Sequence, residues 1–94
     1  MKAIEWNSKK NEILQQNRGV SFEDVLVTIA NHKILDILKH HNPKKYPKQK
    51  ILIVEINNYA YLVPFVEDKE KIFLKTIIPN HKATKNYILS KQKK

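Results

Sequence analysis

Gln49-Lys50-Ile51-Leu52-Ile53-Val54-Glu55-Ile56-Asn57-Asn58-Tyr59-Ala60-Tyr61-Leu62-Val63-Pro64-Phe65-Val66-Glu67 is the stretch on which the fold turns. Two runs rich in β-branched and aromatic residues flank an Asn-Asn pair. Asparagine tolerates positive φ, so the pair reads as a two-residue turn and the runs as the arms of a hairpin. Such a loop sets the register: Ile56 opposes Tyr59, Val54 opposes Tyr61, Leu52 opposes Val63 and Lys50 opposes Phe65. Asp68-Lys69-Glu70-Lys71 turns the chain again. A third strand over residues 72–78 then places Phe65 opposite Leu74, Val63 opposite Thr76 and Tyr61 opposite Ile78, and Pro79 stops it. Pro64 lacks an N–H, so a bulge or unpaired stretch is expected beside it.

Strand alternation sorts these side chains onto two faces. Ile51, Ile53, Leu62, Val66, Phe73 and Ile77 form a face that is almost wholly aliphatic and aromatic, and this face is expected to carry the helices. The other face is mixed, with Lys50, Tyr59, Tyr61, Phe65 and Thr76. Aromatic rings beside a lysine suit base stacking next to a phosphate contact. The same residues equally suit a second small core beneath a C-terminal helix.

Upstream, residues 2–6 read as a short strand. Asn7 or Ser8 then caps a helix to about residue 17, whose apolar content is only Ile13 and Leu14. Gly19 is the single glycine of the chain and stands where a helix end favours a left-handed residue. Ser21 caps the next helix, with Glu23 and Asp24 at the positive end of its dipole. Phe22, Val25, Leu26, Ile29 and Ala30 recur at helical spacing as a core-facing stripe. The run Ile34-Leu35-Asp36-Ile37-Leu38 fits either a continuation of that helix or a new strand after Asn31-His32. Residues 42–47 are a loop, Asn80 caps a short helix over residues 82–89, and residues 90–94 are expected to fray.

The pattern predicts an α+β fold: two N-terminal helices packed on one face of an antiparallel sheet, with a short C-terminal helix. The 94 residues are enough for one domain, 1–94, with a modest core. No cysteine is present, which removes disulfides and thiolate chemistry. No apolar run reaches a membrane span and the start does not develop an apolar signal segment, so a cytoplasmic protein without a membrane role is expected.

The net charge is +9, from 18 basic and 9 acidic residues, and it points to a polyanion or an acidic protein as partner. Every basic residue except Arg18 is lysine. Lysine meets phosphate as a point charge and lacks the fork that reads bases, which argues against sequence-specific groove readout. His32, His40 and His41 find no further ligands at metal-binding spacing, so no metal and no cofactor are expected. A single glycine also rules out a glycine-rich phosphate loop.

The densest cluster of chemistry is Pro79-Asn80-His81-Lys82-Ala83-Thr84-Lys85-Asn86-Tyr87. An unperturbed imidazole exchanges a proton near neutral pH, which makes His81 a candidate acid or base. Lys82 and Lys85 can neutralise charge on a phosphorane, and Tyr87 can position a base or phosphate. RNA cleavage needs a base at the 2′-hydroxyl, an acid at the leaving oxygen and cations between them. These four are the candidate catalytic residues. Lys50, Tyr59, Tyr61, Phe65 and Lys75 are the candidate RNA-binding residues, although strict alternation sends Lys75 to the face expected to be buried. A solvated, lysine-rich terminal helix is the plainer account of the same residues.

Residues 5–22 resemble the opening of BrnT-type toxins, an acidic-Trp-Asp start, a short Lys/Asn-rich helix and then His-Gly-Val-Ser-Phe. Here Asn7 replaces the aspartate and Arg18 the histidine. Ile77-Ile78-Pro79-Asn80-His81-Lys82-Ala83-Thr84-Lys85 resembles the closing motif of that family, with His81 where arginine is common. The resemblance spans most of the chain and favours a strand over residues 34–38. It implies a RelE/ParE-like fold, with helices on one sheet face and an active groove on the other. It further implies metal-independent endoribonuclease activity that halts translation and growth. The implied partners are an RNA substrate and a cognate DNA-binding antitoxin from an adjacent gene, joined with the toxin in a hetero-oligomer.

Overall fold

A computed structural model describes residues 2–39, 42, 44, 45 and 48–89. The expected fraying of residues 90–94, the pair His40-His41, and Pro43, Tyr46 and Pro47 of the expected loop lie outside the described residues. In chain order the elements are β1 (Ala3–Trp6), α1 (Ser8–Arg18), α2 (Phe22–Ala30), β2 (Ile34–Lys39), β3 (Gln49–Ile56), β4 (Tyr59–Glu67), β5 (Lys71–Leu74) and β6 (Ile78–Pro79). A short α-helical turn, α3 (His81–Ala83), runs into a π-helical segment, Thr84–Leu89.

The helix ends follow local chemistry. The Asn7 side chain accepts from the Lys10 amide, and Gly19 closes α1 at φ 66°. Ser21 and Asp24 satisfy each other's backbone amides in a reciprocal capping box at the start of α2. Asn57 and Asn58 both take positive φ, and the hairpin register matches the expected one pair for pair. Residues 34–39 form a strand, which closes the helix-or-strand alternative. The chain reverses into it at Asn31-His32, where His32 adopts φ 57°.

The sheet runs β1-β5-β4-β3-β2, with β6 also paired to β4. It is mixed and not purely antiparallel, because β1 lies parallel to β5. The expected long strand over residues 72–78 is broken. β5 ends at Leu74, and β6 resumes with Pro79, not Ile78, opposite Tyr61. The one-residue slip falls on the strand facing Pro64, whose carbonyl accepts from the Lys75 amide at 2.8 Å. Missing its own N–H, Pro64 cannot complete the pairing, and the partner strand absorbs the defect. The slip also turns Ile77 into the core, where it is fully buried.

The two faces are the reverse of the expected assignment. Leu14, Val20, Phe22 and Val25 of the helical layer pack against Leu52, Val54, Ile56, Val63, Phe65, Leu74 and Ile77. This is the face that carries Lys50, Tyr59 and Tyr61. Its mixed look came from residues at the strand ends, while its centre is apolar. A lysine or tyrosine there keeps its polar tip in water while its stem packs on the core. The face of Ile53 and Leu62 carries a smaller core of Ile53, Ala60, Ala83 and Ile88, with Leu35, Leu62 and Tyr87 against it. The helices therefore do not share one face: α1 and α2 cover one side, and the C-terminal helical segment covers part of the other. Each large side chain removed from water contributes about 1.5–3 kcal/mol, so the first layer dominates stability.

Candidate functional site

The closing segment is built from the inside out. Asn80 caps α3 by accepting from the Ala83 amide at 2.7 Å. Thr84 is buried; its hydroxyl donates to the Asn80 carbonyl and accepts from the Ala60 amide, both at 2.9 Å. Ala83 and Ile88 fill the small core. These contacts consume the apolar and capping residues of the cluster. His81, Lys82 and Lys85 remain on the surface, exposed and without an ion pair among the described residues.

Tyr87 has a different situation. Its hydroxyl donates to the Asp36 carboxylate on β2 at 2.7 Å. That bond pushes the phenol above its ordinary pKa. It also holds the Asp36 carboxyl below its own, helped by the Ile37 amide. Tyr87 thus ties the C-terminal segment to the edge strand. Asp36 was not singled out from the sequence; the available signal was a lone acid inside an apolar strand run.

The candidate RNA-binding residues do not join this cluster. Lys50 lies on the α1/α2 side and pairs with Glu67 at 3.6 Å, beside the Lys2–Glu67 pair at 2.6 Å. Glu67 titrates below its ordinary range, chiefly because of the hydrogen bond from Lys2. Phe65 is 4% exposed and belongs to the main core, so its ring has no free face for a base. Tyr59 and Tyr61 meet edge to face at 5.7 Å on the same side as Lys50. Tyr61 packs on the main core. The sheet separates all four from the C-terminal segment. Lys75 is exposed and shares register with Pro64, on the side of Leu62 and Ile53. The Lys75 and Asn80 amides bond to Pro64 and Ala60. Four strand residues separate those carbonyls, about 13 Å.

The opening motif is consumed by structure in the same way. Trp6 stacks on Phe22 at 5.6 Å. Asn11 accepts from the Phe22 amide and donates to Glu23, both at 2.7 Å. Arg18 donates to the Ile77 carbonyl and so links the end of α1 to the chain just before β6. No protein-family model, no curated protein and no solved structure matches this chain.

Proposed function

We propose that this chain is the toxin of a type II toxin–antitoxin pair and acts on RNA at its C-terminal helical segment. One observation carries the reading. In the segment that resembles the toxin motif, Asn80, Ala83 and Thr84 are spent on the fold, and what remains exposed is one imidazole and two ammonium groups. That is the minimum for metal-independent cleavage. The His81 imidazole takes the proton of a ribose 2′-hydroxyl, whose oxygen attacks the adjacent phosphorus. The bond to the 5′-oxygen breaks, and that oxygen leaves with a proton drawn from water, which the protonated His81 then gives back. Lys82 and Lys85 offset the charge on the pentacoordinate phosphorane. The proposed RNA-contacting set is these residues with Lys75; Lys50, Tyr59, Tyr61 and Phe65 lie on the other sheet face and fall outside it.

The basic balance also suits an antitoxin that is acidic where it covers the toxin and binds DNA elsewhere. Induced expression is expected to halt growth, co-expression of the adjacent gene to restore it, and His81→Ala with Lys82→Ala to abolish toxicity. Full toxicity of the folded double mutant would refute the assignment.

A second reading is favoured by the Tyr87–Asp36 bond. With the phenol committed to a carboxylate, Tyr87 does not supply the acid that cleavage needs at the leaving oxygen. The same surface then holds RNA without cutting it. RNA that stays intact while bound in a salt-dependent complex selects this reading.

A further inference from the structure

A cleft of about 380 Å³ opens between α1 and residues 76–78. Lys10, Asn17, Arg18 and Thr76 line it, together with Ile13 and Ile78. Its charged lining is wholly positive. The neighbouring clefts differ: one sets Lys2, Lys48 and Lys69 against Glu67, Asp68 and Glu70, another sets Lys50 against Glu67, and a third sets Lys33 against Asp24 and Glu55. Neither Lys10 nor Arg18 has an ion pair among the described residues.

Arg18 is held for a purpose other than ending its own helix. One guanidinium nitrogen donates to the Ile77 carbonyl, on another element. A guanidinium has five N–H donors in a rigid fork, so most of them stay available while its position is set. Isolated, anchored arginine in a cleft without carboxylates matches the fork geometry of a phosphate. The negative end of the α1 dipole lies close by, but it amounts to about half a charge against two full cations. Ile13 and Ile78, 43% and 39% exposed, add an apolar floor that a free inorganic anion does not need and a ribose or base covers.

We infer that this cleft is a phosphate subsite for a bound RNA strand, contacting one nucleotide through Lys10, Arg18 and Thr76. The inference rests on the proposed reading that RNA is the ligand. Ile78 stands three residues before His81, a reach of at most about 11 Å. The cleft and the histidine thus lie close along the chain, at either end of β6.

The test is equilibrium binding of a fluorescent single-stranded RNA oligomer to the full chain over a range of salt concentrations. Lys10→Gln with Arg18→Gln is expected to weaken binding roughly tenfold. The slope of log affinity against log salt should become shallower by about 0.7, one phosphate contact's worth on a single strand. Arg18→Lys keeps the charge and should retain the slope. Lys10→Gln alone leaves the Ile77 contact intact, so a partial loss of slope in that variant cannot come from misfolding. Wild-type affinity and slope in the folded double variant would overturn the subsite and leave the proposed function standing. Failure of the unsubstituted protein to bind RNA, with or without capture of an acidic protein, would overturn both.

Discussion

At the scale of single residues, the Tyr87–Asp36 pair sets a pH signature. The Asp36 carboxyl titrates below its ordinary value in the folded chain, mainly through Tyr87. The stability it confers is complete above the unfolded carboxylate pKa and is lost as pH falls through the lowered folded value. Tyr87 is displaced the other way, upward, by Asp36. Its share is complete below the unfolded phenol pKa and disappears as pH rises through the raised folded value. In Asp36→Asn the Tyr87 phenol is expected to ionise closer to its ordinary pKa, with flatter acid and alkaline limbs of stability. Ultraviolet titration of tyrosine ionisation reads the shift. An unchanged titration curve would show that the hydrogen bond does not persist in solution. The bond was not legible in the sequence: composition and spacing show a tyrosine near lysines, while its partner lies 51 positions away on β2.

At the scale of elements, local chemistry settled most boundaries. Gly19 is the sharpest case, with φ 66° and open space where a Cβ would stand. Gly19→Ala meets no clash with neighbours, so its cost is the backbone conformation alone, about 1–2 kcal/mol. Gly19→Asn is expected to cost less, since asparagine enters the left-handed region more readily. Denaturant midpoints of the two variants test this, and equal stability of Gly19→Ala and the parent chain would reject it. The caps at Asn7, Ser21 and Asn80 and the Asn57-Asn58 turn were legible because each is decided within four residues. The break at residues 75–77 was only half legible. Pro64 announced an irregularity, but its placement on the partner strand depends on which chain yields, and that is a property of the pair.

At the scale of the whole molecule, the sheet is covered on both sides by different parts of the chain. Deleting residues 81–94 is expected to uncover Ile53 and Leu62 and to strip the Ala60 amide of its Thr84 partner. The loss should be on the order of 3 kcal/mol, with increased binding of an apolar dye. A truncated chain of parental stability would show that the second core contributes nothing. No helix among the described residues is long and apolar enough to cross a membrane.

The β3–β4 hairpin with its register, the helix caps and the excess of positive charge are determined by sequence alone, because each depends on neighbours in the chain or on simple counting. Which side of the sheet receives α1 and α2 was not. Both faces have apolar centres, and Lys50 or Tyr61 at a strand end does not prevent burial of Leu52, Val54 and Val63 between them. That choice is made by long-range packing of Phe22 and Val25 against the sheet, and it alone decides that Lys50 and Phe65 are parted from His81.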